Sequence, residues 1–309
     1  MPSAPDTSRI GSVTRPPRSA YGGLTADGAV SGFIEATDGV RVHLLRWPVD
    51  ADARAVVVFL HGIASHGGWF GETATLLARE RLAVYAPDRR GSGRSDGPPG
   101  HLADYHRALD DVERVLRLAA AEHPGTPVFL AGSSWAAKLA IVYAALRPAR
   151  LSGLLLLGPG LLPRVTLNPP RRAAVVFGHL AARRLAVRIP LRPEMYTANP
   201  SYVDFVRADP LRLQTATAQF FWTTAVLDRH RASATGRLRL PVLLLQGDAD
   251  AMMDVPATRR WFDGLPAADK TYRAYPGAGH TLDFEPEPNR GRFLTDLRDW
   301  LSARALAGP

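Results

Sequence analysis

A chain of 309 residues with 46% hydrophobic content is long enough to bury a large core, and its length alone suggests about two domains. It contains no cysteine, which excludes disulfides, thiolate nucleophiles and thiolate metal sites. The formal charge of +9 at pH 7 comes with no nucleic-acid recognition module, so nucleic acid is not an expected partner.

Residues 1–30 are rich in Ser, Pro, Gly and Arg and show no hydrophobic period, the pattern of a flexible N-terminal extension. They lack the continuous apolar stretch of a secretory signal, and no run approaches membrane-spanning length. A cytoplasmic protein is therefore expected. Arg54 to Leu60 (RAVVVFL) is the best buried-strand signal, and it leads into His61-Gly62-Ile63-Ala64-Ser65-His66-Gly67-Gly68-Trp69-Phe70. Glycine there lets backbone approach a ligand closely. Asp88 to Ser95 is an arginine-rich turn, read as structural, and Ala103 to His123 is a long helix.

Pro127 to Ala131 is a short strand that enters the turn Gly132-Ser133-Ser134-Trp135-Ala136. This is the pattern G-x-S-x-G with alanine in the last small position, the strained strand-to-helix turn that lifts a serine hydroxyl above a sheet. Small residues are needed two positions either side of that serine. Ser134 has Gly132 and Ala136, whereas Ser133 would have Ala131 and Trp135, so Ser134 is the candidate nucleophile. An ordinary turn can also contain a glycine and a serine, so the remaining chain has to supply a base and an acid.

A helix follows from Trp135 to about Leu146, then a strand from Leu154 to Leu157. From 159 to 231 the alternation of strand and helix stops and prolines break the chain into short pieces, which reads as an inserted cap. Alternation resumes at the strand Pro241 to Gln246, whose end carries Gly247-Asp248-Ala249-Asp250. A helix from Val255 to Leu265, a strand from Lys270 to Tyr275, and the loop Pro276-Gly277-Ala278-Gly279-His280 come next. A helix from about Pro288 to Leu306 closes the chain. Reactive groups of open parallel sheets gather at the carboxyl ends of the strands, where Ser134, the two aspartates and His280 all fall. Asp254 reads as a helix cap. His61 and His66 belong to the loop after the third strand, and the other six histidines have no motif around them. No His/Asp/Glu spacing suggests a metal and no glycine-rich phosphate loop appears, so no cofactor is expected.

These ordered motifs resemble the α/β-hydrolases, and more narrowly the monoacylglycerol lipase and lysophospholipase group. The matching pieces are His61-Gly62, Asp88-Arg89-Arg90-Gly91-Ser92-Gly93-Arg94-Ser95, the elbow at Ser134, Gly247-x-x-Asp250, Gly279-His280, and in the cap Asn199-Pro200-Ser201-Tyr202-Val203 with Asp209-Pro210-Leu211. The resemblance covers residues 31 to 305. It departs at Ala136, where the group usually has glycine, and at Ser133, where it usually has His or Glu. It implies an α/β-hydrolase fold, a mostly parallel central sheet flanked by helices with an inserted helical cap. The core would comprise 31–158 and 232–309, and the cap 159–231.

The resemblance also implies a triad of Ser134, Asp250 and His280, with Asp248 the weaker choice of acid. The backbone N–H groups of Ile63 and Trp135 are expected to form the oxyanion hole. His61, Trp69, Phe70, Phe221 and Trp222 are expected to line a substrate pocket for a lipophilic ester. The expected activity is a serine hydrolase of monoacylglycerol or lysophospholipid esters. Runner-up readings are a proline iminopeptidase-like aminopeptidase, a biosynthetic acyltransferase, and a non-catalytic small-molecule binding protein. An aminopeptidase needs cap acids for the substrate amine, and Glu194, Asp204 and Asp209 are the obvious ones in a basic cap. Between His123 and Pro193 the chain has Lys138 and nine arginines but no acid. That basic edge suits peripheral contact with an anionic membrane surface or an anionic head group. Val176, Leu180 and Val187 are interleaved with these arginines and do not suggest a clean apolar face.

Overall fold

The structure is a computed structural model that describes residues 28–49 and 52–305; the extension expected for residues 1–30 lies outside the described residues apart from its last three. The chain opens with β1 (Val30–Glu35), β2 (Arg41–Trp47), β3 (Ala55–Leu60), α1 (Gly71–Arg79), β4 (Leu82–Pro87) and α2 (Tyr105–Glu122). It continues with β5 (Val128–Ser133), α3 (Ala136–Leu146) and β6 (Gly153–Leu157). After a long insertion come β9 (Val242–Gly247), α7 (Val255–Asp263), β10 (Lys270–Tyr275) and α8 (Asn289–Ala305).

Eight strands form one sheet in the order β1-β2-β4-β3-β5-β6-β9-β10. β1 and β2 are antiparallel to their neighbours, and every pair from β4 to β10 is parallel. All residues of β3, β4, β6 and β9 are buried, which is why they read as continuous apolar runs: helices cover both faces. Alternate side chains go to opposite layers. Val56, Val58 and Leu60 pack with residues of α2 and α3, while Val57 and Phe59 pack with Phe70 and with Trp300 of α8.

Between β6 and β9 lie α4 (Pro169–Ala181), β7 (Ala186–Arg188), α5 (Pro200–Ala208), β8 (Thr215–Thr217) and α6 (Ala218–Thr235). β7 and β8 pair only with each other. α6 runs unbroken across residue 231, so the insertion extends to the end of that helix. Among the contacts that tie it over the carboxyl edge of the sheet are four hydrogen bonds or ion pairs. Leu213 N–H donates to Ala64 O, Asp209 accepts from Trp69 Nε1 and is bonded to His66, and Lys138 of α3 pairs with Asp228 of α6 at 2.6 Å.

Candidate active site

β5 runs two residues further than its composition suggests, because its ladder with β6 continues to Ser133 opposite Leu157. Ser133 is therefore strand, and Ser134 stands at the apex with φ 51°, a left-handed conformation rare for serine. The turn needs a small residue at 132: a Cβ there would lie 2.8 Å from Ala137 Cα and 2.9 Å from Ala136 O. Strain of this kind persists only where surrounding bonds hold it. Here Ser134 N–H donates to Leu157 O at 3.1 Å, and Ser134 O accepts from Gly160 N–H at 2.8 Å.

Three side chains from three strand ends form one chain of hydrogen bonds. Ser134 Oγ is 2.9 Å from His280 Nε2, and His280 Nδ1 is 2.7 Å from Asp250 Oδ2. In the tautomer that suits this geometry Nδ1–H donates to the carboxylate and Nε2 accepts the serine hydroxyl proton. Asp250 is buried, and its Oδ1 accepts from the N–H groups of Met252 and Met253 at 2.8 and 3.2 Å. Its Oδ2 also accepts from Gln246 Nε2 at 2.9 Å. Burial pushes the Asp250 carboxyl up, but the His280 ring, the Met252 N–H and the Gln246 amide more than offset it, so the pKa lies below the usual carboxylate range. Gln246 is a supporting residue that motif spacing does not single out. Its signal was a polar residue inside an apolar strand, PVLLLQG. Asp248 is exposed and accepts from Gly277 N–H at 2.6 Å, which joins the loops after β9 and β10. Asp254 caps α7 by accepting from Ala257 N–H.

The loop after β3 passes directly against the serine. A Cβ on Gly62 would be 3.1 Å from Ser134 Cβ and 3.5 Å from Ser134 Oγ. Among the described residues, neither the Ile63 N–H nor the Trp135 N–H donates to a protein acceptor, and both residues line the same cavity as Ser134. Arg89, from the turn after β4, holds this loop from behind. Its guanidinium donates to Gly62 O at 3.2 Å, Ile63 O at 3.1 Å and Ser92 Oγ at 2.7 Å, and lies 4.9 Å over the Trp135 ring. Burial pushes its pKa down to about 9, which leaves it cationic at neutral pH.

The cavity at Ser134 measures about 450 Å³. Its wall is largely apolar, including Pro163, Val165, Val175, Ile189, Phe221 and Met253, with Lys138, Asp228 and Arg172 as its charged residues. Phe221 thus reaches the site, but four residues expected to line it do not. His61 is buried with both ring nitrogens engaged: Nε2 accepts from Arg89 N–H at 2.8 Å, so Nδ1 carries the proton and donates to Gly62 O at 2.9 Å. Burial, and then the Arg89 charge, drive its pKa down to about 3, so it stays neutral. Trp69 packs among Tyr196, Phe205 and Phe284 and donates to Asp209. Phe70 stacks on Phe59 at 3.9 Å under the sheet. Trp222 stacks on His179 of α4 at 4.0 Å. His61, Trp69 and Phe70 were suggested by their place in the loop after β3 and Trp222 by the aromatic run beside Phe221; the loop turns the first three into the protein, and on α6 successive residues point in different directions.

Residues 51–287 match the family described as "Serine aminopeptidase, S33". The chain belongs to this α/β-hydrolase family. The hydrolase is 31% identical over 271 residues to the monoacylglycerol lipase of Mycolicibacterium smegmatis, covering 85% of this chain and 93% of the relative. It is 31% identical over 279 residues to the monoglyceride lipase of Homo sapiens, covering 88% and 90% of the two chains. Among solved structures, the monoacylglycerol lipase of Paleococcus ferrophilus aligns with a TM-score of 0.76 at 27% identity, over 85% of the hydrolase and 99% of that chain. No group of His, Asp and Glu among the hydrolase's described residues could hold a metal ion.

Proposed function

We propose that the hydrolase is a serine esterase that cleaves a carboxylic ester of a lipophilic substrate, of the monoacylglycerol or lysophospholipid type, through an acyl-enzyme. The observation that carries this reading is the Ser134–His280–Asp250 chain of hydrogen bonds opening onto a large, mostly apolar cavity. Ser134 Oγ attacks the ester carbonyl carbon while His280 Nε2 takes its proton, and the Ile63 and Trp135 N–H groups stabilise the developing oxyanion. Collapse of the tetrahedral intermediate breaks the bond to the alcohol, which leaves with the proton from His280. Water, deprotonated by the same nitrogen, then attacks the acyl-enzyme and releases the acid. Asp250 stays ionised and keeps Nδ1–H turned towards itself. The segment between β6 and β9 serves as the cap that selects the substrate.

The family's description names an aminopeptidase, and such an enzyme needs a free carboxylate for the substrate amine. Among the described residues lining the cavity Asp228 is the only acid, and Lys138 already pairs with it at 2.6 Å. This acid was not among those singled out from the sequence. Glu194 and Asp204 pair with Arg207, and Asp209 with His66, all outside the cavity lining. A lipid ester therefore suits this cavity better than a peptide N-terminus.

Hydrolysis of p-nitrophenyl esters from acetyl to palmitoyl, beside an aminoacyl p-nitroanilide series, tests the reading. Turnover should favour medium or long acyl chains, fall by roughly a millionfold in Ser134→Ala, and persist in Ser133→Ala. Preference for the anilides, or an active Ser134→Ala protein, would overturn it.

A peripheral membrane role belongs to the same reading. Among the described residues no helix is long and apolar enough to cross a membrane. α4, however, exposes Val176, Phe177 and Leu180 together, Leu180 by 78%, close in sequence to the exposed Arg172, Arg183 and Arg184. That is a clearer apolar face than interleaving suggested, and Val187 is not part of it because β7 buries it. We assign this face to contact with an anionic lipid surface.

A further inference from the structure

The oxyanion hole is made of backbone, so some part of the molecule has to aim it. We propose that Arg89 is the positioning residue of the oxyanion hole, acting through the peptide unit between Gly62 and Ile63. This goes beyond the reaction proposed above and rests on the same serine chemistry.

A trans peptide is planar, and its C=O and N–H point in opposite directions. The Ile63 N–H shares its peptide unit with the Gly62 carbonyl, so fixing one fixes the other. The Gly62 carbonyl accepts from two groups, Arg89 Nη1 at 3.2 Å and His61 Nδ1 at 2.9 Å. With the carbonyl held on that side, the Ile63 N–H is turned the other way. The Ile63 carbonyl is held as well, by Arg89 Nη2 at 3.1 Å, so the next peptide unit cannot swing to compensate.

The second donor is addressed from the same side chain. The guanidinium lies 4.9 Å over the ring of Trp135, whose backbone N–H completes the hole, and 5.1 Å over Phe220 of α6. Trp135 is fixed further by its own Nε1–H, which donates to Thr224 Oγ1 of α6 at 3.0 Å. Arg89 itself is anchored by Ser92 Oγ and by its backbone N–H on His61. One cation therefore sets both donors and the cap helix above them. Donation to the Gly62 carbonyl also polarises the peptide that carries the Ile63 N–H, which strengthens that N–H as a donor. A lysine could not do this, since a compact ammonium lacks the planar fork that spans two carbonyls.

Arg89→Met and Arg89→Lys, made in the full chain, are compared with wild type by two measurements. The first is steady-state hydrolysis of p-nitrophenyl butyrate. The second is inhibition by an alkyl trifluoromethyl ketone, which adds to Ser134 as a tetrahedral oxyanion. Misaiming the donors should lower kcat by roughly 10- to 100-fold in Arg89→Met, somewhat less than deleting a donor outright, with KM within about threefold of wild type. Ketone affinity should weaken by the same factor as kcat/KM, and Arg89→Lys should restore only part of either. A rise in KM at constant kcat, unchanged ketone affinity, or full rescue by lysine would overturn the proposal. If Arg89→Met does not fold, as judged by its circular dichroism melt, Arg89→Lys decides with the same two readouts. A wild-type protein that binds the ketone but hydrolyses no ester would sink the esterase reading and leave the ketone comparison to decide the role of Arg89. A protein that does neither would remove both.

Discussion

At Gly62 the approach of backbone to Ser134 leaves a side chain too little room unless a neighbour gives way. Its missing Cβ would be 3.1 Å from Ser134 Cβ, tighter than ordinary van der Waals contact. Gly62→Ala should therefore push the loop away from the serine and lower kcat/KM at least roughly tenfold, with a stability cost of about 1 kcal/mol. Ester kinetics beside a thermal melt would check it; equal losses in both, or none, would argue against a close-approach role. Ser134 was legible in the sequence because the elbow's steric demand is local: two small flanks choose it over Ser133. The acid was not local. Asp248 and Asp250 sit two residues apart on one loop, and the residues alone allowed either until the family resemblance favoured Asp250. In the fold Asp248 turns to Gly277 N–H, and Asp250 turns inward to His280.

The turn after β4 binds several elements together through Asp88. This buried carboxylate accepts from Gly67 N–H at 2.7 Å and Arg94 N–H at 2.9 Å, and is bonded to His43 of β2 at 2.8 Å. Burial pushes its pKa up, but the His43 hydrogen bond and charge more than offset that, so it lies well below the usual carboxylate range. A carboxylate with a depressed folded pKa contributes stability above its unfolded value of 3.8, and that contribution is lost as pH falls below it. Asp88→Asn should cost about 3 kcal/mol at pH 7, because it breaks a buried pair, and should flatten the acid limb of the stability profile. Urea unfolding from pH 7 down to about pH 2 would measure both, and an unchanged acid limb below pH 3.8 would refute the assignment. The arginine-rich turn read as structural from the sequence holds loops in this way, and one of its members, Arg89, grips the carbonyls of Gly62 and Ile63 in the loop beside Ser134.

For the whole molecule, β5, β9 and β10 run parallel in one sheet with β6 between β5 and β9, so that the loops at their carboxyl ends bring Ser134, Asp250 and His280 to one point. The segment between β6 and β9 supplies part of the cavity wall beside Ser134. That wall includes Phe221 but not Trp222, because α6 points one towards the cavity and the other towards α4. α4 gives the surface its apolar patch, and the test is sedimentation with vesicles. Binding to vesicles rich in anionic lipid should exceed binding to neutral ones, weaken with salt, and fall at least roughly fivefold in Leu180→Asp while hydrolysis of soluble esters is unchanged. Equal binding of wild type and variant would remove the membrane assignment.

By itself the sequence determined the alternation of strand and helix, the small-flanked turn at Ser134 and the break in that alternation after β6, though not the far end of the break, since α6 runs across residue 231. Each of these follows from local rules: burial on both faces makes an apolar run, and a strained turn demands small neighbours. Only the tertiary structure decided that His61, Trp69, Phe70 and Trp222 lie outside the cavity, that Gln246 steadies Asp250, and that Arg89 grips the loop at Gly62. Those outcomes depend on which way a side chain points and on contacts between residues far apart in the chain, such as positions 62 and 89 or 250 and 280. Composition and spacing along one chain do not encode such contacts, since they arise only when the strands pair and bring the loops at their carboxyl ends together.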